Sequence, residues 1–198
     1  MTRSVILAAA AGILAMSLAA PAARAAALKI GAPAPDFTLP KASDGKAVAL
    51  KDLLGRSKAV TIVFVATKCP VSNAYNARME ALEKEYAAKG IPLVGINSNK
   101  TEPAAEVREH AEKHGFTFPV LKDDGNRIAD AYGATRTPEV FVLDPKGNLL
   151  YHGRIDENQD DPEGVRSPDL RNALDAILSG KPVPAAETKA FGCTIKRV

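Results

Sequence analysis

Ala59-Val60-Thr61-Ile62-Val63-Phe64-Val65-Ala66, followed by Thr67-Lys68-Cys69-Pro70-Val71-Ser72, reads as a buried strand that turns into a helix with a cysteine at the corner. The apolar run is the strand. The helical pattern begins near Ser72, and Tyr75, Met79, Leu82 and Tyr86 fall at i, i+4, i+7 and i+11, one stripe of a helix. Pro70 suits the start of that helix, where its missing N–H would have had no partner. A cysteine in this corner holds its sulfur near the helix N-terminus. Unpaired N–H groups and the positive end of the dipole favour thiolate over thiol there. Thiolate is the reactive form, so the position points to thiol redox chemistry; the alternative is a buried, inert cysteine.

Outward from this corner, strand and helix patterns alternate. Upstream, Ile30 to Leu39 is Pro-rich and ends in a short strand; Ser43-Asp44-Gly45-Lys46 is a turn and Ala47 to Leu50 completes a hairpin. Lys51 to Gly55 is a short helical turn. Downstream, Ile91 to Asn97 is a second apolar strand, and a helix runs from about Pro103 to Lys113. Phe118 to Leu121 is extended and Arg127 to Tyr132 is a short helix. Glu139 to Asp144 is a third strand, turning at Pro145-Lys146-Gly147-Asn148 into Leu149 to Arg154, and a last helix spans about Pro168 to Leu178. Strand–helix–strand alternation predicts an α/β fold: a central mixed sheet with a parallel centre and an antiparallel edge, helices on both faces, and an N-terminal hairpin extension.

Residues 1–25 carry Arg3, an apolar Ala-rich stretch from Val5 to Ala20, and the small-x-small site Ala23-Arg24-Ala25. This is the pattern of a cleaved signal peptide rather than a membrane span. The expected organisation is a leader over 1–25, one domain over 26–180, and a C-terminal tail over 181–198 without strong periodicity. About 170 residues suffice for one core. Removing the leader takes away Arg3 and Arg24 and no acid, leaving 24 basic against 23 acidic residues and a formal charge of +1. That balance gives no reason to expect a nucleic-acid or membrane-surface partner. Two cysteines in an exported chain, Cys69 and Cys193, permit a disulfide but are too few for a staple framework.

Four segments carry a family resemblance: Gly31-Ala32-Pro33-Ala34-Pro35-Asp36-Phe37-Thr38-Leu39, Cys69-Pro70-Val71-Ser72, Thr137-Pro138 directly before a strand, and Val142-Leu143-Asp144-Pro145-Lys146-Gly147. Their order and spacing over roughly residues 28–180 resemble the redoxin branch of the thioredoxin fold, the alkyl hydroperoxide reductase/thiol-specific antioxidant proteins and periplasmic thioredoxin-like proteins. The likeness is strongest to an exported, single-cysteine, peroxiredoxin-like subgroup. It implies a cis-proline at Pro138, with the Thr137 backbone presented to an extended partner beside the cysteine. Two positions depart from the pattern. Ser72 stands where thioredoxins place their second cysteine. Ala66 and Ile62 stand where peroxiredoxins place the Thr/Ser and Pro of the peroxide pocket, although Thr67 is close by.

The expected site is therefore catalytic Cys69 and Cys193, supported by Thr67, Ser72, Arg136, Thr137, Pro138 and Glu139. Ser72 is positioned to donate a hydrogen bond to the thiolate. Arg136 would lower the cysteine's pKa, and Glu139 would raise it or relay a proton. Cys193 lies in Phe191-Gly192-Cys193-Thr194-Ile195-Lys196, a small apolar island. It can be a resolving cysteine for Cys69, a static bridge to it, or a link to another molecule. His110 and His114 share a helical face with Val107 and read as packed side chains, not a metal site. Asp156 to Asp161 reads as a solvated acidic loop.

The expected function is an exported thiol–disulfide oxidoreductase, periplasmic or secreted. Cys69 is its nucleophile, and Cys193 or an external thiol resolves the mixed disulfide. The partners are protein thiols or disulfides, with no nucleic acid, no stable membrane insertion after leader cleavage, and no cofactor or metal. The alternatives are a thiol peroxidase acting on small peroxides and a non-enzymatic copper-binding or redox-scaffold protein, since soft Cu(I) prefers thiolates.

Overall fold

The computed structural model describes Leu28–Val198; the expected leader lies outside these residues. The apolar run is strand β3 (Val60–Phe64) at the centre of a five-stranded sheet. β4 (Leu93–Asn97) and β5 (Val120–Lys122) lie on one side of it in parallel, and β7 (Glu139–Leu143) and β8 (Leu149–Gly153) lie on the other side as the antiparallel edge. Ile62 pairs with both Val94 and Phe141.

The continuous apolarity of β3 follows from burial on both faces. Alternate residues Val60, Ile62 and Phe64 point to one core, and Ala59, Val63 and Val65 to the other. The first core packs against helices α1 (Leu50–Leu54) and α5 (Arg127–Tyr132) and against the N-terminal hairpin β1 (Thr38–Pro40) and β2 (Ala47–Ala49). Phe64, Tyr132 and Phe141 meet there edge to face, with Tyr132 and Phe141 5.3 Å apart. The second core packs against α3 (Asn76–Ala87), α4 (Ala104–Lys113) and α6 (Asp169–Leu178). The stripe Tyr75, Met79, Leu82 and Tyr86 is buried there, as its spacing predicts.

Three features depart from the expectations. The helix after Cys69 starts at Pro70 and comes in two pieces: α2 (Pro70–Ala74) and α3 meet at Tyr75. The Asp156–Asp161 loop is not simply solvated. Asp156 is 4% exposed, accepts from the Tyr75 hydroxyl at 2.8 Å, and takes two bonds from Arg78 at 2.8–2.9 Å. Burial and this bond to Asp156 push the Tyr75 phenol well above its ordinary pKa. Finally, the residues after Gly180 have no helical or strand period of their own, yet they pack on the domain. Thr188 pairs with His152, Ile195 is 3% exposed within the first core, and β9 (Cys193–Thr194) joins β6 (Arg136–Thr137) in a two-stranded sheet separate from the central one and from the β1–β2 hairpin.

Candidate active site

The loop between β3 and α2 is held from beneath by one carboxylate that sequence reasoning did not single out. Glu102, 2% exposed, accepts from the backbone N–H groups of Thr67 (2.9 Å) and Lys68 (3.1 Å) and from the side-chain amides of Asn97 (2.6 Å) and Asn99 (3.3 Å). Nothing in the local sequence around Glu102 marks it, because the two loop N–H groups it holds lie 35 and 34 residues away. From above, the Ser72 hydroxyl accepts from the Ala66 N–H at 3.2 Å, and Asn73 donates to the Thr67 carbonyl at 2.9 Å. The corner is thereby fixed on both sides, with Cys69 in extended conformation as the residue that caps α2.

The sulfur of Cys69 accepts from the backbone N–H of Ser72 at 3.3 Å. This corrects one expectation: Ser72 serves the sulfur through its amide, while its hydroxyl braces the preceding loop. Thr67 and Lys68 also turn away from the sulfur. The Thr67 hydroxyl donates to Glu106 at 2.7 Å, and the Lys68 ammonium pairs with Glu106 at 2.8 Å and reaches the Thr101 carbonyl at 2.9 Å. That pairing and the Thr67 bond hold the Glu106 carboxyl below its usual range.

The opposite wall is the Thr137–Pro138 turn, whose peptide bond is cis, as the family likeness implies. The Thr137 carbonyl oxygen sits 3.3 Å from the Cys69 sulfur. Glu139 and Arg136 do not touch the sulfur, so neither tunes it by direct contact. Glu139 accepts from the N–H groups of Thr135 (2.7 Å) and Arg136 (2.8 Å), and its other oxygen meets His152 at 2.7 Å. It clamps the turn through these bonds. Arg136 reaches forward to the Thr194 hydroxyl at 3.1 Å and the Gly192 carbonyl at 3.4 Å, holding the C-terminal strand.

That strand completes the site. β9 runs antiparallel along β6 with Cys193 opposite Thr137 and Thr194 opposite Arg136. Cys193 forms a disulfide with Cys69 across 124 residues of chain, Cα to Cα 5.8 Å. Gly192 makes this approach possible. Its φ is +128°, and a Cβ there would run into the Thr137 carbonyl. Phe191 packs edge-on against Tyr75, ring centres 6.3 Å apart. Cys69 is 3% exposed and Cys193 half-buried.

Residues 30–152, more than half of the chain, match the AhpC/TSA family. The chain belongs to this family. The AhpC/TSA domain here is 30% identical over 107 residues to the thiol-disulfide oxidoreductase ResA of Halalkalibacterium halodurans, covering 54% of this chain and 58% of that relative, so the match spans little more than half of its length. A crystal structure of a hypothetical protein, SMc02350 from Sinorhizobium meliloti 1021, superposes with a TM-score of 0.80 at 33% identity, over 87% of this chain and 97% of that one. A thiol:disulfide interchange protein of the thioredoxin family from Chlorobium tepidum TLS superposes with a TM-score of 0.60 at 25% identity, over 77% and 99%. The thioredoxin-like fold expected from the four segments is thus established, and the AhpC/TSA match covers all four of them in full.

The remaining histidines do not join the site. The rings of His110 and His114 lie 4.4 Å apart beside Phe116, and His110 meets the Asn76 amide at 3.1 Å. Burial, and then the neighbouring His114, push the His110 pKa below its ordinary value.

Proposed function

We propose that this protein is an exported thiol–disulfide oxidoreductase, acting in a periplasmic or extracellular compartment on the thiols or disulfides of partner proteins. Its redox centre is the Cys69–Cys193 couple, with Cys69 as the thiolate nucleophile. The observation that carries this reading is the placement of Cys69. Its sulfur caps a helix under the Ser72 N–H, faces the carbonyl before a cis-proline, and is already bonded to a second cysteine brought in by the chain itself. The leader pattern over 1–25 supports the compartment, because a disulfide persists where the surroundings are oxidising. The named activity of ResA supports the reaction class.

Disulfide exchange is favoured over peroxide reduction by what surrounds the sulfur. Its polar neighbours are an amide N–H and a carbonyl oxygen, and the nearby Thr67 hydroxyl is committed to Glu106. It is favoured over copper carriage because the oxidised form bonds both sulfurs to each other and leaves no thiolate for the metal. A redox titration in glutathione buffers, read by AMS alkylation, tests the proposal. The expected result is one reversible two-electron transition between about −120 and −270 mV, the range of exchange-active couples. A midpoint below about −300 mV would mark a structural bridge and end this reading.

A further inference from the structure

The strand carrying Cys193 is held in place by contacts that do not involve the disulfide. Downstream of it, the Ile195 side chain is inserted in the core and its N–H donates to the Thr135 carbonyl at 3.1 Å. The Lys196 N–H donates to the Asn99 side chain at 2.7 Å, the Lys196 carbonyl accepts from the Lys100 N–H at 2.9 Å, and the Val198 N–H donates to the Asn126 side chain at 2.9 Å. Upstream of it, the Thr188 N–H donates to the His152 carbonyl at 2.9 Å, and the Thr188 hydroxyl meets the Tyr151 hydroxyl at 2.8 Å. The segment is therefore pinned on both sides of Cys193, and opening one S–S bond removes none of these pins.

A docked strand changes which sulfur a partner can reach. β9 occupies the edge of β6 beside the cis-proline, so an extended partner cannot pair there while the tail stays in place. An attacking thiolate approaches in line with the bond it breaks. Attack on Cys69 therefore comes from the side away from Cys193, where Cys69 is 3% exposed. Attack on Cys193 comes from the side away from Cys69, at a residue that retains solvent exposure. The better leaving thiolate is also Cys69, because the Ser72 N–H is aimed at its sulfur.

Resting on the Cys69–Cys193 couple proposed above, but confining the nucleophilic role of Cys69 to attack on Cys193, we infer that Cys193 is the sulfur that exchanges with the partner, while Cys69 is the thiolate that leaves and returns and the C-terminal strand stays docked throughout. In the direction that oxidises a partner dithiol, one partner thiolate attacks the Cys193 sulfur. The partner–Cys193 bond forms, the Cys193–Cys69 bond breaks, and the electron pair departs on the Cys69 sulfur. The partner's second thiolate then attacks its own bonded sulfur, giving the partner disulfide and releasing Cys193 as a thiolate, which takes a proton from water. The partner loses two electrons and the Cys69–Cys193 pair gains them. In reverse, Cys193 carries the mixed disulfide and the Cys69 thiolate is the nucleophile that resolves it.

Reduced glutathione mixed with the oxidised full chain, acid-quenched within the first turnover and mapped by peptide mass, reads the attacked sulfur directly. The expected adduct is on Cys193, in about tenfold or greater excess over Cys69, because access and leaving-group quality both favour it. An adduct mainly on Cys69 overturns this inference and leaves the oxidoreductase reading standing. No adduct and no reduction overturns both. A second measurement uses oxidised glutathione on the reduced single-cysteine variants. Cys69 in Cys193→Ser should react about tenfold more slowly than Cys193 in Cys69→Ser, with the difference vanishing in denaturant, since only the fold shields it. Equal native rates reject the shielding. Amide exchange at Ile195 and Lys196 in the reduced wild type should keep the protection of the oxidised form, and its loss rejects the docked strand.

Discussion

Glu102→Gln and Glu102→Ala test whether one buried carboxylate positions the loop that delivers Cys69. Glu102 collects four donors, two of them the consecutive backbone N–H groups of Thr67 and Lys68. Glutamine keeps the shape but replaces one acceptor oxygen by an NH2. Its best orientation leaves the oxygen on the three donors that share Oε2 and turns the NH2 toward the Lys68 N–H. One partly buried donor then loses its acceptor and faces the new NH2, at a cost of about 1–3 kcal/mol. Alanine strips all four donors together and opens a void; even with water satisfying some of them, the loss is about 3–5 kcal/mol. At this chain length each kcal/mol lowers the melting temperature by about 2–4 °C. Urea unfolding of the oxidised protein measures the order wild type above Gln above Ala, with an unchanged m-value. Dithiothreitol reduction of the Cys69–Cys193 bond, followed in parallel, should accelerate in the same order as the corner loosens. A Gln variant within about 0.5 kcal/mol of wild type, together with an Ala variant losing less than about 1 kcal/mol, would refute the assignment, since such values belong to unremarkable surface sites.

Three further outcomes are expected. Gly192→Ala forces a side chain toward the Thr137 carbonyl from a φ of +128°, so β9 should be displaced at a cost of about 1–3 kcal/mol, and dithiothreitol should open the disulfide faster than in wild type. Asp156→Ala leaves Arg78 partly buried without its carboxylate and the Tyr75 hydroxyl with only the residue-156 carbonyl as acceptor; urea unfolding should register a loss of about 3–5 kcal/mol, and Arg78→Met combined with Asp156→Leu should recover much of it. His110 has a folded pKa below its unfolded value of 6.5, so the unfolded chain binds more protons as the pH drops below that value. His110 thus makes stability fall as the pH is lowered from about 6.5 toward 5, and urea midpoints of His110→Gln across this window should show a flatter dependence than wild type.

The fold was legible because its signals are local. The β3 run needs no partner to be recognised, and its unbroken apolarity already implies cover on both faces. The Tyr75-to-Tyr86 stripe, the Pro145-Gly147 turn and the hairpin that follows it are equally self-contained. The Tyr75 break between α2 and α3 was invisible because it interrupts the helix without a Pro or Gly to mark it. The buried role of Asp156 was hidden for another reason: six polar residues in a row look solvated until Arg78 and Tyr75, some 80 positions earlier, are folded against them. In the site, Cys69 and the Thr137–Pro138 turn were visible. Arg136, Glu139 and Ser72 are legible as neighbours of the cysteine, but their side-chain partners, Thr194, His152 and the Ala66 N–H, are set by the tertiary fold.

Sequence by itself determined the strand–helix corner that places Cys69, because backbone propensity and a period of two or 3.6 residues are set within a dozen positions. The tertiary structure alone decided what that sulfur meets. Cys193 arrives from 124 residues away on a segment with no period of its own. It is seated by the glycine beside it, a core position for Ile195 and the side chains of Asn99 and Asn126. Contacts closed across such distances depend on where the whole sheet puts its edges, and no local pattern records that.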